Sequence, residues 1–323
     1  MLDATRRSTL LRVAGWLAAA IVIVYVARNL GEGLRDLRAN PLPQHPRWGM
    51  VALSGALSLV AHAVLVETWR SVLACWDARL PFWSAARIWS VSNLGKYVPG
   101  KIWQIGAMSA MSRDVGVSPI AASGSAILGT LVNVIAGFVI ALLSGRALLE
   151  KTRPGWGALA TLIVTAAGGA LLLAPLIVPR LAPLVARLAG RPLQTTLPMR
   201  AVVYSLVGNI IAWLLYGAAF QLLVLGILGT VSGGYLEYLA AYTISYLIGY
   251  LAFFAPAGVG VREAVMMGVL NAAGLAAVPQ AALVTVSSRI WLTLLEVMPA
   301  ILFWAHHRMR HRSPTTAPSD VPT

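Results

Sequence analysis

Residues 92–106 read SNLGKYVPGKIWQIG and place two lysines, Lys96 and Lys101, on either side of a Pro99-Gly100 break. The chain around this stretch is strongly apolar, with 58% hydrophobic and 11% charged residues. Proline lacks a backbone donor and glycine adopts unusual dihedral angles, so the break leaves backbone groups that need protein, water or ligand as partners. The stretch therefore predicts a helix that is interrupted inside an apolar region, with two ammonium groups at the interruption.

Six segments elsewhere in the chain are apolar over about 20 residues, the length that crosses a bilayer. They are residues 10–27, 48–66, 119–143, 156–178, 201–225 and 280–303. A composition of this kind lies outside the range of soluble globular domains. We therefore predict an all-α polytopic membrane protein with about six full transmembrane helices, the first of them an uncleaved anchor rather than a signal peptide.

The distribution of positive charge predicts the orientation. Both termini are basic, and the formal net charge of +14 is spread over loops and termini. Because cytoplasmic segments carry an excess of lysine and arginine, we expect a multi-pass protein of the cytoplasmic membrane with both termini in the cytoplasm. The same dispersion argues against nucleic acid as a partner. We predict one transmembrane domain, residues 1–305, and a disordered basic tail, residues 306–323, close to an anionic lipid surface.

Two apolar regions, residues 82–111 and 235–273, are each broken in the middle, at VPGK and at APAGVGVRE. An even number of crossings requires that each region make no net crossing, so we predict two re-entrant helical hairpins. Span, hairpin and span then recur in residues 48–144 and 199–303, as inverted repeats of the kind that place a substrate site at the membrane midplane. The residues predicted to form the two hairpin turns are Pro99, Gly100, Pro256, Gly258 and Gly260.

Charged residues at the two breaks are the first candidates for a substrate site. Lys96 and Lys101 suit a phosphate group at a helix start, although lysines in a plain loop also extend to lipid head groups. Arg262 offers a forked donor for phosphate oxygens. Glu263 complements the positive end of a helix dipole, so a structural role in capping and bracing is open for Arg262 and Glu263.

The final span carries Arg289 and Glu296, two turns apart on one face. Ionisable groups at this depth are costly unless paired or solvated, so they are candidate substrate-binding residues, with a structural salt bridge as the alternative. Asn133 and Asn209 are candidates to line the same cavity, or to join helices by hydrogen bonds. His62 is a further titratable group within a span.

The sequence predicts neither a metal site nor a cofactor. Cys75 is the single cysteine, and no cysteine and histidine residues have the spacing of a zinc or iron-sulfur site. No phosphate-binding loop of the ATPase type is present. Seven tryptophans fall near predicted helix ends, where an aromatic belt is expected: Trp48, Trp69, Trp83, Trp89, Trp103, Trp156 and Trp304.

The motifs NLGKYVPGKIW and APAGVGVRE, followed by an arginine in the last span, resemble the lysylphosphatidylglycerol synthase transmembrane domain family, also called flippase-like domain proteins. The resemblance extends over residues 10–304 and implies a polytopic bundle with broken helices that moves lipid between leaflets. One departure is Ala257, where the resemblance leads us to expect glycine. The residues to which it extends a translocation role are Lys96, Pro99, Gly100, Lys101, Pro256, Gly258, Gly260, Arg262, Glu263 and Arg289.

Lipid translocation is the function that these patterns favour. About 20 residues follow the last predicted span, so we expect no soluble aminoacyl-transfer domain and no enzymatic activity. The expected substrate is a membrane lipid with an anionic or lipid-linked head group. A transferase that uses a polyprenyl-phosphate donor and a non-catalytic scaffold are the alternatives. A second copy of the chain and a separate lipid-modifying enzyme are left open as protein partners.

Overall fold

The computed structural model describes residues 45–97, 103–152, 156–159, 161–170, 198–252 and 255–310, and the single positions 35, 173 and 176. Within these residues the chain forms helices joined by turns, which confirms the all-α prediction. Two short 3₁₀ helices, the first turn (Leu94–Tyr97) and the second turn (Pro256–Gly258), follow α2 and α7. The α-helices are α1 (Trp48–Ala74), α2 (Phe82–Asn93), α3 (Trp103–Arg113), α4 (Pro119–Ser144), α5 (Arg146–Thr152), α6 (Met199–Leu228), α7 (Tyr235–Leu251), α8 (Val261–Ala272) and α9 (Val278–Arg310).

Four of these helices are long and apolar enough to cross a membrane: α1, α4, α6 and the Val278–Phe303 part of α9. Each has 26 to 30 residues, or about 39 to 45 Å at 1.5 Å per residue, which exceeds the hydrocarbon thickness of a bilayer. They coincide with four of the six predicted spans. Residues 10–27 lie outside the described residues. Of the predicted span 156–178, the described positions are helical.

The last long helix runs past the predicted boundary between domain and tail. Helix α9 continues to Arg310, so residues 306–310 are helical rather than disordered. Their sequence, HHRMR, has neither proline nor glycine to stop the helix. Residues 311–323 lie outside the described residues.

Helices α1 and α6 run antiparallel in extensive contact. Near the start of α1, the Ser54 hydroxyl donates a hydrogen bond to the Ala219 carbonyl at 2.7 Å. Near its end, Thr68 lies against Gly208, where a Cβ atom would stand only 1.8 Å from the threonine Oγ1. The absence of a side chain at Gly208 therefore permits this close approach. The two ends of the bundle are called below the Trp48 end and the Ala74 end.

Helix α4 is parallel to α6, because Asn133 bonds to Asn209 and one turn further Gly137 contacts Trp213. It is therefore antiparallel to α1. The segment between α1 and α4, which contains α2 and α3, begins and ends at the Ala74 end. A buried cluster at that end holds residues that precede α2 and residues that follow α3: Leu73, Leu80, Val117 and Ala122.

Helix α9 is parallel to α1. Trp291 contacts Gly55, and twelve residues later Phe303 joins the cluster at the Ala74 end. The α7 and α8 pair consequently begins and ends at the Trp48 end, where Gly233 before α7 meets Leu275 after α8.

The first and second turns contact each other, although their helix pairs come from opposite ends of the bundle. The pairs also contact the long helix of the other half of the chain, since α2 packs on α9 and α7 packs on α4. The turns therefore meet inside the bundle, beside the middle of α9.

Candidate functional site

A cavity of about 160 Å³ lies where the two turns meet. At about 30 Å³ for each water in the liquid, this volume corresponds to about five waters. Residues from α1, α2, α3, α4, α6, α7, α8, α9 and both turns line it. Six of the candidate substrate-binding and cavity-lining residues are among the lining residues: Lys96, Asn133, Asn209, Arg262, Arg289 and Glu296.

The first turn is bound to α9 through Glu296. The Lys96 ammonium lies 2.6 Å from one carboxylate oxygen of Glu296, and the Tyr97 hydroxyl donates to the other oxygen at 2.8 Å. Two consecutive side chains of the first turn therefore bind the same carboxylate. The predicted turn residues Pro99 and Gly100, and with them Lys101, lie outside the described residues.

The second turn is bound to α9 through Arg289, whose guanidinium donates to the Ala257 carbonyl at 3.1 Å. Ala257 has φ of 49°, in the left-handed region that favours glycine. This conformation gives a physical reason for the glycine expected at this position. Gly258 also has a positive φ, and its Cα lies so close to the Gly249 backbone that a Cβ would be 2.6 Å from the Gly249 carbonyl oxygen.

Glu263 stabilises the start of α8 from within. Its carboxylate accepts a hydrogen bond from the Gly260 backbone N–H, as expected for an acid at the third position of a helix. The other carboxylate oxygen lies 3.5 Å from Nε of Arg289. Pro256 lies in the second turn, as predicted. Glu263 therefore caps the helix, which is the structural role considered for it above. It also contacts Arg289, which lines the cavity.

Arg262 is the buried cation of the site. It is only 8% exposed, and its guanidinium carbon lies 5.2 Å from the ring centre of Tyr242 and 5.0 Å from that of Tyr246. The guanidinium nitrogen Nη2 has no hydrogen-bond partner among the described residues. Cation–π contacts stabilise part of its charge, while one buried donor of a cavity-lining residue remains unsatisfied among the described residues.

Charge in and beside the cavity is unequal. Lys96, Arg262 and Arg289 supply three cations, and Glu263 and Glu296 supply two carboxylates. The two carboxylates are bound to Lys96 and Arg289. The described residues at the site therefore carry one excess positive charge, at Arg262.

An aromatic wall beside Arg262 was not predicted from the sequence. Tyr242, Tyr246 and Tyr250 follow one another at intervals of four along α7, with stacked rings 6.4 Å apart, and Tyr216 of α6 stacks on Tyr242. All four line the cavity. Residues four apart share a helix face, so this spacing in YTISYLIGY was a signal that could have identified the wall.

A neutral polar wall lies on α4, α6 and α1. Asn133 donates to Asn209 at 2.7 Å, and the Trp213 indole donates to the Asn133 carbonyl at 3.1 Å. The two asparagines thus join helices, the alternative considered for them, and also line the cavity. His62 lines it as well, with Nε2 at 3.1 Å from the Ser90 hydroxyl.

The predicted aromatic belt is wrong at two positions. Trp69 is 3% exposed, and both Trp69 and Trp89 line the cavity with ring centres 6.1 Å apart. Proximity to a helix end in sequence does not distinguish an inward from an outward face. Trp48, Trp83, Trp103 and Trp156 are exposed, as a belt requires.

The described residues contain no group of three or more histidine, cysteine, aspartate or glutamate side chains that could hold a metal ion. No protein-family model matches the sequence, and no curated protein is significantly similar to it.

Proposed function

We propose that the chain translocates a lipid with an anionic head group across the membrane that it spans. The observation that carries the proposal is Arg262, a buried guanidinium at the cavity whose Nη2 has no partner among the described residues. An uncompensated buried charge is costly. A phosphate oxygen at this nitrogen would supply both the opposite charge and the missing hydrogen bond.

The excess of positive charge supports an anion rather than a cation as ligand. Lys96 and Arg289 flank Arg262 in the same cavity but are each bound to a carboxylate. The sequence supplies a further cation, Lys101, five residues after Lys96. A phosphate can therefore bind Arg262 without displacing a carboxylate, whereas it competes with a carboxylate for Lys96 or Arg289.

The size of the cavity supports a head group as the part that enters it. A volume of about 160 Å³, or about five waters, suffices for a phosphate with a small substituent, whereas the acyl or polyprenyl chains stay in the bilayer. The tyrosine wall offers flat apolar faces with hydroxyl edges to that substituent.

We propose that α2 with α3, and α7 with α8, are re-entrant hairpins in two inverted repeats, residues 48–144 and 199–303. The antiparallel α1 and α6 support the inversion, and so does the entry of the two pairs from opposite ends of the bundle. Residues 10–27 and 156–178 supply the remaining two of six spans, with both termini in the cytoplasm. Inverted repeats that meet at the midplane allow one site to open to either side in turn.

The described residues of the two motifs that resemble the lysylphosphatidylglycerol synthase transmembrane domain family include the first and second turns, which lie against the cavity. Their position supports the proposal that this chain belongs with the flippase-like proteins of the cytoplasmic membrane. A second copy of the chain or a separate lipid-modifying enzyme would supply or receive the lipid.

The carboxylates of the site favour translocation over the transferase alternative. A transferase needs a carboxylate free to act as a base. Glu296 is bound to Lys96 and Tyr97, and Glu263 is bound to Arg289 and the Gly260 N–H. Both acids at the cavity therefore already serve as counter-charges.

Leaflet exchange in proteoliposomes tests the proposed function. Fluorescent phosphatidylglycerol, phosphatidylcholine and a polyprenyl phosphate are each placed in one leaflet, and their exchange is followed with and without the protein. We expect the protein to accelerate exchange of an anionic lipid and to leave phosphatidylcholine unchanged. Equal rates in protein-containing and protein-free vesicles for both anionic lipids would contradict the proposal.

A further inference from the structure

Glu296 is bound to Lys96, the cation to which a phosphate at the first turn would bind. Its carboxylate is held by the Lys96 ammonium at 2.6 Å and by the Tyr97 hydroxyl at 2.8 Å. The side chains of Lys96 and Glu296 are 21% and 22% exposed. The carboxylate of Glu296 therefore binds the two groups, an ammonium and a hydroxyl, that a phosphate of the lipid would bind at this edge of the cavity.

The other titratable and charged groups that face Glu296 from elements packed on α9 come from α1, α6 and α8. Helix α1 contributes His62, and α6 contributes Tyr216. Helix α8 contributes Arg262 to the cavity and Glu263 behind it. Arg87 of α2 is not among the cavity-lining residues. On α9 itself, Arg289 lies seven residues before Glu296 and binds Glu263 and the Ala257 carbonyl.

A lipid phosphate that engages Lys96 displaces Glu296 from it, because one ammonium cannot neutralise two anions. The displaced carboxylate would then share a low-dielectric cavity with a second anion. Two close anions repel strongly there, and an unpaired buried carboxylate is costly. A proton taken from water on the open side neutralises the carboxylate and removes both penalties.

We propose that the anionic lipid and one proton bind this cavity together, with Glu296 as the proton acceptor. This inference rests on the proposed function and adds its coupling ion. A phosphodiester lipid carries one negative charge, so the lipid and proton together are neutral and the bound cavity keeps its charge. Transport is then electroneutral and driven by a proton gradient.

Titration calorimetry on the purified full-length protein tests the coupling. Dioctanoyl phosphatidylglycerol is the probe, because its phosphodiester does not titrate between pH 5.5 and 8.5. Binding in two buffers of different ionisation enthalpy gives the number of protons taken up per lipid. We expect the uptake by the wild-type protein to reach about one proton per lipid within this pH range, where Glu296 is ionised in the free protein and protonated in the complex. Linkage then weakens binding by up to about tenfold for each pH unit of increase.

Two variants identify the acceptor. Glu296→Gln should bind the probe without proton uptake, independently of pH, and more tightly than the wild-type protein at pH 8.5, since no carboxylate competes for Lys96. His62→Gln should keep the proton uptake. Loss of uptake in His62→Gln with retention in Glu296→Gln would overturn the assignment.

The wild-type measurement separates the two proposals without any variant, so a variant that fails to fold does not decide the matter. Binding of the probe with no proton uptake overturns the coupling and leaves translocation standing. No binding of the probe at any pH, together with no accelerated exchange of either anionic lipid, contradicts the proposed function.

Discussion

Arg289 and Glu296 lie seven residues apart on one face of α9, and each binds a different one of the two 3₁₀ segments. Arg289 donates to the second turn at the Ala257 carbonyl. Glu296 accepts from the first turn at Lys96. Seven residues correspond to about 10 Å along the helix, so one rigid element sets the spacing of the two turns and of the cavity between them. Any movement of α9 therefore changes both walls of the site.

The ion pair between Lys96 and Glu296 should show the behaviour of a largely buried pair. Lys96→Met leaves the carboxylate without its cation and should lower the free energy of unfolding by about 3 kcal/mol. The double variant Lys96→Met, Glu296→Leu should recover most of that loss, because no charge remains. Unfolding in mixed micelles measures both.

A matched control for this pair is the ion pair of Glu67 and Arg70, whose side chains are 43% and 38% exposed. Arg70→Met should change the unfolding free energy by less than about 1 kcal/mol, since exposed pairs contribute little. Equal losses in Arg70→Met and Lys96→Met would show that burial of the cavity pair has no energetic consequence.

Ala257→Gly should stabilise the protein. A left-handed conformation costs an alanine about 1 to 2 kcal/mol, which the glycine variant avoids. Glycine also raises the conformational entropy of the unfolded chain, which reduces this gain by about 0.4 to 1 kcal/mol. The expected net gain is about 0.5 to 1 kcal/mol, measured by the midpoint of denaturant unfolding. Ala257→Val should shift the midpoint the other way, and a stabilising valine would mean that the positive φ is not adopted.

Gly208→Ala should weaken the contact between α1 and α6. The new Cβ would meet Thr68 at 1.8 Å, and overpacking of this kind costs about 2 kcal/mol. Gly124→Ala on α4 is the control, because a Cβ there has nothing within 4 Å and alanine favours the helix. A thermal midpoint of Gly208→Ala no lower than that of Gly124→Ala is the outcome that would count against the packing.

The connections of the two helix pairs should face opposite sides of the membrane. Single cysteines in a Cys75→Ser background at Arg79 and Asp114 flank the first pair, and those at Ser232 and Ala277 flank the second; all four positions are exposed. A membrane-impermeant maleimide should label Arg79→Cys and Asp114→Cys from one side and Ser232→Cys and Ala277→Cys from the other. Labelling of Arg79→Cys and Asp114→Cys from opposite sides would exclude a re-entrant first pair.

The sequence predicts the helices and the charged residues of the site because both depend on local composition. Apolar runs of sufficient length define α1, α4, α6 and α9. Charges inside such runs are rare, which is why Arg289 and Glu296 are conspicuous.

The pairing of these charges could not be predicted. Lys96 binds Glu296, and Arg289 binds Glu263, only because the two turns meet at α9. The aromatic wall was missed for a related reason, since tyrosines four apart also suit ordinary packing. The inward position of Trp69 depends on the contact of α1 with α4, which local sequence does not contain.

The most direct test of the central claim is leaflet exchange of anionic lipid by Arg262→Gln, with Arg113→Gln as the matched control. Arg113 is an exposed arginine at the end of α3 that does not line the cavity. We predict that Arg113→Gln exchanges the lipid at the wild-type rate, whereas Arg262→Gln, folded by its thermal midpoint, is slower by at least about tenfold, as expected for loss of a charge-assisted hydrogen bond to phosphate. A folded Arg262→Gln that exchanges the lipid as fast as Arg113→Gln would contradict the account.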